Sequence, residues 1–217
     1  MRETVSLTGM VLKAAPSGDN DKRLVILTRE RGKITAFARG ARRPGNQLMA
    51  IGRPFVFGRF ALFEGRDAYN LQSGEITNYF QEISEDMAAA CYGSYFLEFA
   101  DYYARENIES SEMLLLIYQS LRALMKPAIP NTLIQRIFEL RMMVINGEYT
   151  ERPSGKVCDS TNYTWEYVIA SPIESLYSFA VTEQVEQEFC RGVEANKQRY
   201  IDREFHSLEI LRVMEKY

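Results

Sequence analysis

The spacing of apolar residues changes once along this chain of 217 residues, near residue 80, and this change limits the possible folds. Before it, apolar residues alternate with polar ones or form short blocks, as they do in β-strands. After it, they return every three or four residues, as on one face of an α-helix. The sequence therefore predicts an α+β protein, with a β-domain at residues 1–80 and a mostly α-helical domain at residues 81–217.

Five short strands separated by turn residues are predicted in the first domain. They are Thr4 to Lys13, Lys22 to Thr28, Lys33 to Ala38, Phe55 to Glu64, and Ala68 to about Ile76. Between the third and fourth strands, Asn46 to Ala50 is predicted to form a short helix. This layout is typical of a five-stranded OB-type β-barrel, a fold that binds oligonucleotides. A small SH3-like barrel is the alternative architecture.

Helical spacing in the second domain is interrupted once. Helices are predicted to begin at or near Ser84, Ser111, Asn131 and Thr182, and a last one contains Phe205 and Met214. Ser84 precedes two acids and fits a capping serine with negative charge in the first helical turn. Gly147 fits a left-handed helix terminator. Residues 148–175 carry loop signals, and Thr164 to Ser171 fits either a strand or a helical turn.

The two domains carry opposite charge. Residues 1–80 contain thirteen Lys/Arg and seven Asp/Glu, a balance of +6, whereas residues 81–217 contain thirteen and twenty-two, a balance of −9, and the sum is the net charge of −3. A basic module joined to an acidic one indicates that a polyanion is met by the first domain. The alternative is that these charges only solvate a β-domain.

The densest basic segment follows the third strand and contains Arg39, Arg42 and Arg43 around Gly40. Guanidinium groups are planar, always charged and suited to phosphate, so this loop is the main candidate for nucleic-acid binding. Further candidates flank the neighbouring strands: Arg29, Arg31, Lys33, Lys22 and Arg23. Phe37 lies on the outward set of its strand and is a candidate for stacking on a base. It could equally cap the barrel against the helical domain.

Other sites are disfavoured by composition. The chain has one histidine, His206, and three widely spaced cysteines, which argues against His-based catalysis, a His-ligated metal and a disulfide framework. We expect neither catalytic residues nor a cofactor. No apolar run approaches the roughly 18 residues of a membrane span, and the first residues lack a signal peptide pattern, so a cytoplasmic location without membrane contact is expected.

Several segments of the sequence resemble the RecO family of recombination mediators. The most specific is Ala38-Arg39-Gly40-Ala41-Arg42-Arg43 after Gly32-Lys33, and the first two strands, Ile137 to Arg141 and Tyr200 to Leu211 are also similar. The resemblance implies an OB barrel followed by a mostly helical domain. It also implies binding of single- and double-stranded DNA through basic barrel residues, annealing of complementary strands, and a nucleoid-associated location. RecR and the single-stranded-DNA-binding protein are the implied protein partners in recombinase loading.

The chain departs from the family's pattern in one region. Many RecO proteins carry a four-cysteine zinc module after the third helix, but here Cys158 stands alone, with Ser160 and Thr161 where a second ligand would fall. One or two thiolates cannot complete a tetrahedral site. We therefore predict no zinc and a degenerate module at residues 148–180. Apolar packing is expected to hold it, through Tyr163, Trp165, Tyr167, Ile169 and Ile173.

Two other functional classes compete with a DNA-binding mediator. A Mg²⁺-dependent nuclease would use carboxylates such as Glu64, Asp67 and Glu75, which fall in and around one hairpin. A protein-interaction scaffold would use the OB fold without binding DNA.

Overall fold

The first part of the chain is a closed barrel of five strands. The structure is a computed structural model that describes residues 4–126 and 128–214. The strands are β1 (Thr4–Ser17), β2 (Asp21–Thr28), β3 (Gly32–Ala38), β4 (Phe57–Glu64) and β5 (Tyr69–Asn78). They follow the order β1-β2-β3-β5-β4 around the barrel, and only the β3–β5 pair is parallel. The predicted five-stranded barrel is confirmed.

The barrel core comes from the inward side chains of every strand. In β3, Ile34, Ala36 and Ala38 are buried while the residues between them are partly exposed. In β4, Phe60 and Leu62 are fully buried in the same core. This period of two is the expected consequence of a pleated strand with one face on the core. The alternation seen in the sequence thus fixes which side chains face outward.

The connection from β3 to β4 contains the predicted short helix, α1 (Leu48–Ile51). Leu48 and Ile51 are buried against the barrel core and anchor the helix there. The predicted start of the fourth strand at Phe55 is wrong, because Phe55 has a left-handed φ of +72° that interrupts the extended chain. Its amide instead donates to the Val11 carbonyl at 3.1 Å, and the strand begins at Phe57.

Helices make up most of the remaining chain. They are α2 (Gln81–Glu85), α3 (Met87–Tyr103), α4 (Ser111–Leu124), α5 (Asn131–Ile145), α6 (Asp159–Ala170), α7 (Glu183–Tyr200) and α8 (His206–Met214), with a 3-10 turn at Ile173–Ser175. The chain divides into two compact units: residues to 81 with 97–114, and residues 82–96 with those from 115 onward. The α+β class is therefore confirmed. Across residues 4–126 and 128–214, no helix is both long and apolar enough to cross a membrane.

In the first unit, the barrel is joined by the end of α3 and the segment after it. The Lys33 amide donates to the Arg105 carbonyl at 2.9 Å, and the Asn107 amide donates to the Arg31 carbonyl at 2.9 Å. The Ser110 amide donates to the Arg29 carbonyl at 3.0 Å. These bonds tie the β2–β3 turn to residues that follow it by more than seventy positions in the chain.

In the second unit, α5, α6 and α7 pack against one another. Aromatic side chains fill the interior: Phe96 stacks on Phe138 with centroids 4.3 Å apart, and Trp165 meets Phe189 edge-on at 5.8 Å. Trp165 and Phe189 are both fully buried. This packing supplies most of the stability of helices whose own propensities are modest.

Two sequence predictions for the helices need correction. The helix predicted to be capped by Ser84 is α3, and its cap is Asp86, whose Oδ1 accepts the Ala89 amide at 2.9 Å. Ser84 instead lies inside the short helix α2. The region predicted as a strand or a helical turn is the twelve-residue helix α6. Its buried residues, Thr161, Thr164, Trp165 and Val168, have helical spacing that the β-branched and aromatic composition obscured.

Candidate nucleic-acid interface

One end of the barrel gathers most of the basic residues predicted as contacts. Strands β2 and β3 are antiparallel, with Lys22 opposite Ala38 and Arg23 opposite Phe37. The start of β2 therefore lies beside the end of β3, where the loop with Arg39, Arg42 and Arg43 begins. The register alone brings two separate basic segments of the sequence to the same place.

The arginine loop is held to the barrel by its backbone, so its side chains are left outside. Ala41 is fully buried in the barrel core. The Gly40 amide donates to Asp21 Oδ1 at 2.8 Å, and the Arg42 amide donates to the Asn20 carbonyl at 2.9 Å. Gly40 has a φ of +68°, which glycine adopts without strain. This anchoring gives the guanidinium groups a defined position on the surface.

The three guanidinium groups of this loop are exposed to solvent. Arg42 Nη1 donates to the carbonyl oxygens of Gly18 and Asp19, both at 3.2 Å, which leaves its charge without a neutralising partner. Within residues 4–126 and 128–214, none of Arg39, Arg42 and Arg43 forms an ion pair. An unneutralised, exposed set of arginines is the electrostatic requirement for holding phosphates.

Arg53 joins this cluster, although sequence reasoning did not select it. Lys22 Nζ donates to the Gly52 carbonyl at 2.9 Å. Burial, followed by the positive charges of Arg53 and Arg42, lowers the pKa of Lys22 below its ordinary value. Arg53 is exposed and follows α1 directly. The turn Gly52-Arg53-Pro54 was its only sequence signal. We call Lys22, Arg23, Arg39, Arg42, Arg43 and Arg53 the cationic end.

The remaining predicted cations lie around the other end of β3, where each forms an ion pair with a nearby carboxylate. Arg29 Nη2 pairs with Glu30 Oε1 at 3.2 Å. Arg31 Nη1 pairs with Glu64 Oε2 at 2.9 Å and also donates to the Tyr69 hydroxyl at 2.6 Å. The hydrogen bonds with Glu64 and Tyr69 raise the pKa of Arg31 above its ordinary value. The structure thus separates this group from the cationic end.

Lys33 is neutralised by the segment that joins the barrel. Its Nζ donates to the Asp101 carbonyl at 2.9 Å and pairs with Asp101 Oδ1 at 3.3 Å, while Lys13 Nζ pairs with Asp101 Oδ2 at 2.7 Å. Burial by itself raises the pKa of the Asp101 carboxyl, but the two lysines outweigh it and leave the pKa below its ordinary value. Lys33 is therefore placed to hold α3 to the barrel.

Phe37 lies on the outer face of β3, as the alternation predicted. It is partly exposed, between the buried residues Ala36 and Ala38, and it lies opposite the exposed Arg23. The aromatic face is therefore next to the cationic end.

The carboxylates of the nuclease hypothesis do not form a metal site. Glu64 is paired with Arg31, and the side chain of Asp67 is 87% exposed beside Arg66. Glu75 lies opposite Arg59 in the β4–β5 pair. Over the described ranges, no group of three or more His, Cys, Asp or Glu residues is arranged to hold a metal ion.

The region that corresponds to the zinc module is held by a carboxylate as well as by apolar packing. Glu188 Oε2 accepts the Cys158 amide at 2.9 Å and the Thr161 hydroxyl at 2.7 Å. The predicted apolar packing is present at Trp165 and Ile173, which are buried, but Tyr163 is 69% exposed. The prediction for Tyr163 is wrong because its position on α6 faces away from the buried stripe.

The fold and this site define a class: proteins that join an OB-type barrel with a cationic end to a helical region. Comparisons with known proteins agree. The family model described as Recombination protein O N terminal matches residues 1–80, and the model described as Recombination protein O C terminal matches residues 84–161. The chain belongs to the RecO family of DNA repair proteins.

Individual relatives match most of the chain. A DNA repair protein RecO from Alkaliphilus metalliredigens is 32% identical over 164 residues, which cover 75% of this chain and 67% of that protein. One from Acetivibrio thermocellus is 24% identical over 96% of both chains. One from Bacillus subtilis is 30% identical over 74% of this chain and 63% of that protein.

Proposed function

We propose that this chain binds single- and double-stranded DNA through the cationic end of its barrel. The observation that carries the proposal is the loop with Arg39, Arg42 and Arg43, whose exposed guanidinium groups form no ion pair with any residue that the structure describes and whose backbone is fixed to the barrel by hydrogen bonds. Lys22, Arg23 and Arg53 extend the same positive surface. Phosphate contacts of this kind fix the position of DNA and do not depend on its sequence.

Strand annealing follows from the same charges. Two complementary strands repel each other through their phosphates, and a positive surface that holds both reduces that repulsion. Base pairing then proceeds without any catalytic group on the protein. The role is that of a mediator and not of an enzyme.

We further propose that the chain acts with RecR to load recombinase onto single strands coated by single-stranded-DNA-binding protein, in association with the nucleoid. Support comes from membership of the RecO family and from the names of its relatives, which are DNA repair proteins. Within the chain, the segment that most specifically resembles the RecO family is the loop after β3.

The test is a salt titration of DNA affinity for the variant Arg39→Ala/Arg42→Ala/Arg43→Ala. The quantity measured is the slope of the logarithm of the binding constant against the logarithm of the salt concentration. If all three side chains contact phosphates, this negative slope should become shallower by about 2.7 for duplex and by about 2.1 for single strands. The affinity should drop for every sequence alike, because phosphate contacts carry no base information. Fluorescence anisotropy with labelled oligonucleotides measures both quantities.

The matched control is Arg122→Ala/Arg191→Ala/Arg199→Ala, which removes the same charge from exposed positions on α4 and α7. It should keep the slope of the unmodified protein. If the unmodified protein, the loop variant and the control variant all had the same salt slope, the proposal that the arginine loop contacts phosphates would be refuted. Retained binding of RecR without any DNA binding at low salt would favour the scaffold hypothesis instead.

A further inference from the structure

A row of outward side chains crosses four neighbouring strands next to the cationic end. Arg23 on β2 lies opposite Phe37 on β3, and Phe37 lies opposite Asn70 on β5. Asn70 lies opposite Phe63 on β4. Two phenylalanines from distant parts of the sequence are thereby placed in one line, with an amide between them.

Neither phenylalanine belongs to the barrel core. Phe63 is partly exposed and follows the fully buried Leu62, as Phe37 follows the fully buried Ala36. The barrel core contains Leu62 and Ala36, and neither Phe37 nor Phe63 is among the apolar residues packed against it. Burial of these rings in the core therefore does not explain why two aromatic residues occupy the outer face.

The row starts and ends beside the two connections that OB barrels use for oligonucleotides. Arg23 follows the β1–β2 turn at residues 18–20, and the β4–β5 connection at residues 65–68 joins Phe63 to Asn70. In the second connection Arg66 is 94% exposed but pairs with Asp67 at 3.8 Å. Positive charge without an acidic partner is therefore concentrated at the Arg23 end of the row, next to the cationic end.

The spacing of the rings selects for a single strand. Neighbouring strands lie about 4.8 Å apart, so Phe37 and Phe63, separated by β5, are about 10 Å apart. Bases within a duplex are stacked about 3.4 Å apart, and their faces are covered by neighbouring bases. Only a strand whose bases can be splayed apart presents free faces to both rings.

We infer that Phe37 and Phe63 form a two-position stacking platform for single-stranded DNA, with Asn70 between them to hydrogen-bond a base edge. This inference rests on the proposed DNA binding and adds to it the residues that distinguish single strands from duplex. The arginines of the cationic end hold phosphates of either form, and the platform adds contacts to unpaired bases.

The test compares three ligands: a short oligothymidine, a strand of the same length with abasic sugars, and a duplex. Phe63→Ala should weaken binding of oligothymidine by roughly fivefold to a hundredfold. It should leave the affinity for the abasic strand and the duplex unchanged, and the salt slope as well, because no phosphate contact is lost. Phe37→Ala should behave in the same way.

Two further variants make the result specific. Phe63→Leu keeps an apolar side chain but removes the aromatic face, so it should also lose affinity for oligothymidine. Tyr79→Ala removes an aromatic side chain that is 48% exposed and lies outside the row, and it should bind all three ligands as the unmodified protein does. Circular dichroism checks that each variant is folded.

The outcomes separate this inference from the proposed function. Unchanged oligothymidine binding by Phe63→Ala, with a reduced slope in the triple arginine variant, would overturn the platform and leave the phosphate contacts in place. Equal loss on all three ligands would also overturn it, because Phe63 would then act through the fold of the barrel. Failure of the unmodified protein to bind any of the three would refute the proposed function itself.

Discussion

The carboxylate of Glu139 is fully buried and has four polar partners, the side chains of Arg136, Lys197, Gln135 and Tyr95. Arg136 Nη1 pairs with it at 2.7 Å, Lys197 Nζ at 3.1 Å, and Gln135 Nε2 donates to it at 3.0 Å. The Tyr95 hydroxyl also donates to it. Burial alone raises the pKa of Glu139, but the two cations and the hydrogen bonds outweigh it and lower the pKa.

Tyr95 and Glu139 are each fully buried, and the contact between them joins α3 to α5 across forty-four positions of the chain. Lys197 comes from α7, fifty-eight residues after Glu139 in the chain, so no local pattern could reveal it.

We expect Glu139→Ala to reduce the free energy of unfolding by about 3–5 kcal/mol, since it takes the buried carboxylate away from two cations and two hydrogen-bond donors. Glu139→Gln should cost less, because its amide oxygen can still accept hydrogen bonds from Tyr95 and Gln135. Urea unfolding followed by the fluorescence of Trp165, the single tryptophan of the chain, measures both. The control Glu166→Ala removes an exposed carboxylate from α6 and should change stability by no more than about 0.5 kcal/mol. Equal stabilities for Glu139→Ala and this control would contradict the prediction.

Elements with a clear local signal were predicted closely, whether strands or helices: α4, α5 and α7 begin within one residue of the predicted Ser111, Asn131 and Thr182. The alternation in β2 and β3 placed both within one residue of their observed bounds, because each has one face on the core. Helix α6 was missed, since its burial stripe is set by packing against α5 and α7 and its composition favours a strand. Tertiary packing overrides local propensity in such a segment.

The start of α6 is tied to α7 through Glu188, and this tie should depend on pH. The hydrogen bonds from the Cys158 amide, Gln184 and Thr161 lower the pKa of Glu188 from 4.5 to about 2. A carboxyl with a lowered folded-state pKa adds stability above its unfolded pKa, and this stability is lost as the pH falls through the folded pKa. The loss should therefore occur between about pH 4.5 and pH 2.

We expect Glu188→Gln to be less stable than the unmodified protein at pH 7, with a difference that shrinks as the pH approaches 2. The difference between the two proteins isolates Glu188 from other acids, such as Glu194, that lose their charge over the same range. Urea unfolding at a series of pH values, monitored through Trp165, provides the measurement. Glu166→Gln is the control, and its stability should not differ from that of the unmodified protein in this pH-dependent way. A constant difference across the whole range would show that the ionised carboxylate is not what holds the two helices.

At the scale of the whole molecule, the compact units do not follow the order of the chain. Residues 97–114 belong with the barrel, although residues 82–96 before them and those after them belong to the other unit. The packing of residues 97–114 on the barrel depends on Gly32, which has a φ of +63° and forms a β-bridge with Glu106. A Cβ at this position would collide with the carbonyl oxygens of Arg105 and Ile108.

We expect Gly32→Ala to destabilise the barrel by clearly more than the roughly 1–2 kcal/mol of a left-handed alanine, because the collision adds to the conformational cost. Gly18→Ala is the matched control, since Gly18 has a φ of +60° and open space around it. Calorimetry gives the stability of each variant, and hydrogen exchange of β2 and β3 amides locates the effect. Similar losses in the two variants would mean that residues 105–108 do not constrain the turn.

Apolar periodicity and a short arginine-rich loop are local signals, so they were enough to predict the barrel, the helical region and the family. The sequence also places Arg39, Arg42 and Arg43 together, since they are neighbours in the chain. The folded arrangement was needed to show that Lys22 and Arg53 join them and that Arg31 and Lys33 are neutralised by Glu64 and Asp101. It alone placed Phe63 in line with Phe37. The reason is that strand register and helix packing bring together residues that are far apart in sequence, and charge and stacking act only over short distances in space.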